Sequence, residues 1–154
     1  MTTRARYALR AVIDIAAVDG GGPVRAVDIA DRQGLSVGYL ERLLISLVAG
    51  GVIESQRGPG GGYRLARPAG ELSVREVILA SGEQVTLAPC VDEDCGACGR
   101  AADCPARAVW GGLYQVANDY LSGLTISELI EGGFQAADEK KNGLRPVRSV
   151  SRSR

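Results

Sequence analysis

All four cysteines of this chain fall within fifteen residues, as Cys90-x4-Cys95-x2-Cys98-x5-Cys104. Thiols so close together can pair as disulfides, hold a metal, or act as a redox switch. Thiolates are soft ligands that suit zinc or iron–sulfur clusters. A structural zinc usually takes paired Cys-x2–4-Cys knuckles with a longer loop between them. This stretch has a single Cys-x2-Cys and no separated second pair. Its uneven spacing therefore fits an iron–sulfur cluster better, with zinc as the alternative and a thiol switch as the third reading. Cys90-x4-Cys95-x2-Cys98 also coincides with part of a plant-type ferredoxin spacing, so a small electron carrier is a rival function. The flank Asp92-Glu93-Asp94 reads as solvated loop, or as an oxygen ligand if one cysteine is unused.

The rest of the composition narrows the chemistry. The 154 residues include no histidine, so His-based general bases, Ser-His-Asp triads, Cys-His dyads and His-ligated metals are excluded. No enzyme activity is expected, and no small-molecule substrate. At 45% hydrophobic and 23% charged, the chain can bury a core. Its 18 basic and 18 acidic residues cancel, but not locally. Residues 1–67 carry +3, 68–104 carry −5, 105–135 carry −2 and 136–154 carry +4. A basic amino-terminal part is thus followed by an acidic middle and a basic tail. The first apolar run is punctuated by Arg4, Arg6, Arg10 and Asp14, unlike a signal peptide. No stretch approaches the roughly 18–20 apolar residues of a membrane span. A cytoplasmic location without membrane contact is expected, where thiols stay reduced.

The elements that would position the cysteines read in order. Ala5, Leu9, Val12, Ile13, Ala16 and Ala17 place an amphipathic helix over 4–18, ended by Gly20-Gly21-Gly22-Pro23. A shorter helix is expected over 26–33, with Gly34 making the turn. Ser36 is a good N-cap for a helix reaching Ala49. That helix has an apolar face of Tyr39, Leu40, Leu43, Leu44, Leu47 and Val48, leaving Gly38, Glu41, Arg42 and Ile45 outside it. Two short strands, 52–56 and 63–66, flank Arg57-Gly58-Pro59-Gly60-Gly61-Gly62. Helix, turn, helix and hairpin make a winged helix, whose second helix suits a DNA major groove. Glycines such as Gly60 and Gly61 would let the wing approach a sugar-phosphate rail, with Arg57 and Arg64 supplying charge. No Gly-Lys-Ser/Thr follows Gly62, so a nucleotide cradle is a weak rival. Ser73 caps a short helix to about 81, Pro105 opens a long helix and Thr125 caps a last short one. In the long helix Ala106, Trp110, Leu113, Ala117, Tyr120 and Leu124 alternate steps of four and three, a seam suited to a homodimer. The tail from about Ala136 reads as disordered, and there is no internal repeat.

The segments Arg6-Tyr7-Ala8-Leu9, Asp28-Ile29-Ala30-Asp31-Arg32-Gln33-Gly34, Ser36-Val37-Gly38-Tyr39-Leu40-Glu41 and Arg57-Gly58-Pro59-Gly60-Gly61-Gly62-Tyr63 fit one pattern. So does Cys104 six residues before Trp110. Together they resemble the IscR-type (Rrf-two) winged-helix transcription regulators of bacteria over roughly residues 1–131. The resemblance implies a homodimer that binds double-stranded operator DNA. It also implies an iron–sulfur cluster in the loop before the dimerisation helix, whose state changes DNA affinity with iron, redox or nitric oxide status. It matches Glu41 to a base-contacting glutamate and Arg57 to an arginine that enters the minor groove, with Arg42 and Tyr39 as further candidates. Where a related regulator completes its cluster with histidine, this chain has Arg107, which is no ligand. Arg6 replaces the amino-terminal aspartate of the nitric-oxide sensors.

The resulting expectation is a mostly α fold with a small β-hairpin wing, a winged helix-turn-helix plus a long dimerisation helix. Residues 1–67 form the DNA-binding region, 68–87 a connecting helix and strand, and 88–104 the cluster loop. Residues 105–135 form the dimerisation helices and 136–154 a basic tail. The expected function is a transcriptional regulator, a repressor, controlled by a 2Fe–2S or 4Fe–4S cluster on Cys90, Cys95, Cys98 and Cys104. The expected DNA-binding set is Ser36, Gly38, Tyr39, Glu41, Arg42, Arg57, Gly60 and Gly61. A zinc-stabilised or cluster-free regulator without redox sensing is the alternative.

Overall fold

The computed structural model describes residues 3–18, 22–85, 88, 90–91, 98–100 and 103–131. Cys95, the acidic flank 92–94 and the basic tail lie outside the described residues. The fold centres on α1 (Thr3–Ala16), which packs against four of the other helices and the second strand. Its buried positions Ala5, Ala8, Ala11, Val12 and Ile15 follow steps of three and one, a single helical stripe. Three of the five are alanine, small enough for several neighbours to approach one helix closely.

The helix-turn-helix follows as α2 (Ala26–Gln33) and α3 (Val37–Ala49). Gly34 closes α2 in the left-handed conformation, φ 66°, with its amide donating to the Ala30 and Asp31 carbonyls. A residue with a side chain would pay for that geometry, which is why glycine stands here. α2 is clamped to α1 by the Arg32–Asp14 ion pair at 2.6 Å and by Arg10 Nε donating to Gln33 Oε1 at 2.8 Å. α3 buries Leu40, Leu43, Leu44 and Leu47. Each such side chain removed from water contributes about 2 kcal/mol. Ser36 occupies the N-cap as expected, yet its side chain makes no capping bond.

β1 (Ile53–Gln56) and β2 (Gly62–Leu65) pair antiparallel, with Ile53 opposite Leu65 and Gln56 opposite Gly62. Val24 adds a bridge to Tyr63, with 2.8 Å hydrogen bonds in both directions, so the hairpin is laced to the segment before α2. A 3-10 turn (Ala69–Glu71) leads to α4 (Val74–Ala80). α4 opens on a reciprocal cap between Ser73 and Glu76, and α6 (Ile126–Ile130) on the same device between Thr125 and Glu128. The strand expected within 68–87 is absent among the described residues there. The extended contact that exists is a single bridge between Ser73 and Thr125. Its reason is local: Leu72 and Ser73 pass beside the Leu124–Ile126 corner for one pair of residues before α4 begins.

α5 (Pro105–Gly123) is the long helix, with Pro105 in its first turn. Ala117, Leu121 and Leu124 pack on the core, and Asn118 is the one buried residue of α5. Asn118 Oδ1 accepts from Arg75 Nε at 2.8 Å while its Nδ2 donates to the Tyr114 carbonyl. The expected seam is thereby divided. Its carboxy-terminal members Ala117 and Leu124 lean on their own protomer, while Trp110 and Leu113 are 43% and 47% exposed. Val109 and Val116, outside the expected seam, are barer still at 66% and 55%.

Candidate nucleic-acid interface and cysteine site

The buried leucines of α3 force the remaining residues of that helix outward. Gly38, Glu41 and Arg42 are exposed, and Ile45 is 64% exposed on the same strip. At 100° per residue these four positions share a face about 100° wide. Ser36 and Val37, at the amino-terminal end of α3, are exposed as well. Tyr39 is half-buried at the edge of this strip, its ring edge-on to Tyr7 with centroids 6.0 Å apart. Arg10 lies over the far Tyr7 ring at 5.6 Å. Tyr39 therefore fixes the helix against α1, and its ring is less free than those of its neighbours.

Hydrogen bonding sorts the arginines of residues 1–67. Arg25 pairs with Asp28, Arg32 with Asp14, Arg64 with Glu54 and Arg67 with Glu76. Arg10 donates to Gln33, Arg4 to Ser46 and Arg6 to Thr3. The side chains of Arg42 and Arg57, and the carboxylate of Glu41, have no hydrogen-bond or ion-pair partner among the described residues. Arg64 was expected to supply charge to the wing together with Arg57. Its 2.6 Å pair with Glu54, its cross-strand partner in the β1–β2 register, takes up much of that charge.

The wing glycines divide into two kinds. Gly58 and Gly60 have φ of 103° and 80° with open space around them, so backbone conformation demands them. Gly61 and Gly62 are demanded by internal contact. A Cβ on Gly61 would overlap the Gln56 carbonyl oxygen, and one on Gly62 would lie 2.5 Å from the Val24 oxygen. Gly61, expected as a DNA-facing residue, thus has a sufficient reason inside the hairpin.

Of the cysteines, Cys90 and Cys104 are half-buried and Cys98 is exposed, and no disulfide joins them among the described residues. Among the described residues no three acidic, Cys or His side chains are grouped to hold a metal ion. The donor set still suits a soft metal, being all sulfur in a chain without histidine. Arg107 brings the two ends of this loop together. Its Nε donates to the Cys90 carbonyl at 3.1 Å, and its amide donates to the Cys104 carbonyl at 3.1 Å. That contact escaped sequence reading, which treated Arg107 only as a missing ligand. A long guanidinium side chain one turn into a helix, next to a cysteine-rich loop, was the available signal.

A helix-turn-helix with a wing and an uncommitted exposed recognition helix defines a winged-helix, DNA-binding transcriptional regulator. A family model described as Rrf2, iron-dependent transcriptional regulator, matches residues 1–132, and the chain belongs to that family. It is 37% identical over 152 residues to the HTH-type transcriptional regulator IscR of Cronobacter sakazakii, covering 97% of this chain and 93% of that protein. It is 39% identical over 130 residues to the IscR of Klebsiella pneumoniae, covering 84% and 78%. Among solved structures, CymR, the global cysteine regulator of B. subtilis, superposes with a TM-score of 0.70 at 27% identity over 86% of this chain and 96% of that one. The IscR of T. potens does so with a TM-score of 0.69 at 28% identity, over 92% and 93%. No helix among the described residues is long and apolar enough to cross a membrane.

Proposed function

We propose that this chain is a cytoplasmic, homodimeric repressor without catalytic activity, which binds double-stranded operator DNA. An iron–sulfur cluster, 2Fe–2S or 4Fe–4S, tunes its affinity. The observation that carries the DNA half is the sorting of charged groups. Among the described residues Glu41, Arg42 and Arg57 have no side-chain partner, while the other arginines of the module are bonded within the chain. Arg57 at the wing suits a narrow, electronegative minor groove. Glu41 suits a cytosine amino group in the major groove. Ser36 and Gly38 allow the amino-terminal end of α3 to approach the bases, and Gly60 lets the wing backbone come close to the rail.

Cys90, Cys95, Cys98 and Cys104 would hold the cluster. When bound, the cluster supplies a centre that responds to iron, redox or nitric oxide status. Arg107 supports this reading, because its bonds to the Cys90 and Cys104 carbonyls join the loop ends at the first turn of α5. A change in the loop then acts on the helix whose bare apolar face would meet its partner, and so on the distance between the two α3 helices.

The test is iron, sulfide and zinc analysis of anaerobically purified protein, followed by binding of loaded and apo protein to a duplex selected from a random pool. Iron with equimolar acid-labile sulfide, and unequal affinities of the two forms, are expected. Zinc without sulfide moves the assignment to a zinc-stabilised regulator, and equal affinities remove the sensing.

A further inference from the structure

Beside the outer strip of α3, where that helix meets the start of α1, lies a recess of about 330 Å³ lined by Arg4, Tyr39, Arg42 and Leu43. Two of these four residues carry guanidinium groups and a third a phenol. Arg4 is held in place on the flank of α3. Its Nη2 donates to Ser46 Oγ at 2.7 Å, and that hydroxyl donates in turn to the Arg42 carbonyl at 3.3 Å. Tyr39 is held by its edge-on contact with Tyr7. The Arg42 side chain has no partner among the described residues. The recess is thus a concave site lined by two guanidinium side chains and a phenol, with Arg4 held by its bond to Ser46 and Arg42 left available.

Arg42 lies on the side of the strip that faces Arg4, while Gly38 and Ile45 form its crest and Glu41 its other side. Building on the DNA-binding role proposed above, we propose that Arg4, Tyr39 and Arg42 form a clamp for one backbone phosphate of the bound duplex. Arg42 then positions α3 in the groove, and base reading falls to Glu41 and the crest. A phosphodiester suits this recess because its free oxygens accept hydrogen bonds from guanidinium and phenol groups, and its charge is opposite to that of Arg42. Such a contact carries affinity and register but no base information.

Arg4→Ala and Arg42→Ala are compared with the full-length wild type on a duplex selected from a random pool and on a scrambled duplex of the same composition, across a potassium chloride series. Each variant weakens both duplexes by the same factor, about three- to tenfold, and lowers the log–log salt slope by about one. Arg4→Lys and Arg42→Lys restore the slope. Glu41→Ala instead changes the order of preference among single-base variants of the selected duplex and leaves the slope in place. Loss of discrimination at one base pair in Arg42→Ala, with the slope intact, makes Arg42 a base reader and overturns the clamp. Unchanged binding in both alanine variants also overturns it. Inorganic phosphate at constant ionic strength competes no better than chloride with the duplex. Strong competition that disappears in Arg42→Ala assigns the recess to a free anion and sinks the proposal. The slope is read on scrambled duplex too, so the clamp can hold even where preference for the selected duplex, and with it the regulator reading, fails.

Discussion

Glu76 serves two partners at the start of α4. It accepts from the Ser73 amide and hydroxyl, both at 2.8 Å, and from Arg67 Nη2 at 2.8 Å. The Arg67 guanidinium first, and then the Ser73 amide, hold the Glu76 carboxyl down at about 2, below its usual 4.5. Because the folded value is the lower one, ionised Glu76 stabilises the fold. That contribution is complete above about 4.5 and is lost as pH falls toward about 2. The side chains of the pair are about two-fifths exposed, so water screens the interaction and the contribution is about 1 kcal/mol. Glu76→Gln keeps the cap and removes the charge. Denaturant unfolding should show the wild type losing about 1 kcal/mol more than Glu76→Gln across that acid window. Parallel pH profiles for the two proteins would show that Glu76 gives no linkage.

Among elements, the wing separates two demands that look alike as a run of glycines. Gly60→Ala places a side chain in open space at φ 80°, at a cost of about 1 kcal/mol. Gly61→Ala drives a Cβ into the Gln56 carbonyl oxygen, so β1 and β2 must separate, costing about 2–3 kcal/mol. Thermal unfolding should rank Gly61→Ala clearly below Gly60→Ala, and equal midpoints would mean the hairpin yields freely at that point. The helices and both strands of this module were legible from apolar spacing, Gly34 and the Ser73 and Thr125 caps, because a buried stripe and a cap are local facts. The Gly61 contact and the Arg64–Glu54 pair were not, since each depends on cross-strand register. Val109 and Val116 escaped the seam because the protomer covers only the carboxy-terminal end of α5. The residues of the exposed strip were legible by subtraction from the leucine face of α3. The recess beside them was not, because Arg4 and Ser46 are 42 residues apart.

At the scale of the whole molecule, α5 connects three things: the cysteine loop through Arg107, the α4 side of the fold through Asn118 and Arg75, and solvent through a bare apolar face. Val109, Trp110, Leu113 and Val116 recur at steps of one and three over the first two-thirds of the helix. A row of that kind is costly to leave in water. The carboxy-terminal end needs no partner, being held by Leu121, Leu124 and the Val74 amide bonded to the Leu124 carbonyl. A second copy crossing at the Trp110 end would bury the row and set the two α3 helices at a fixed separation, as a two-fold operator requires. Trp110→Glu places a charge in the centre of that contact without touching the core of the protomer. Sedimentation should shift from dimer to monomer. The far-ultraviolet circular dichroism spectrum should stay within a few per cent of wild type, because the buried leucines and alanines are untouched. Binding to the selected duplex should fall by two orders of magnitude or more, because each monomer then meets one half-site alone. A dimer that survives Trp110→Glu at micromolar concentration would place the interface elsewhere and detach the cysteine loop from the geometry of the DNA-reading helices.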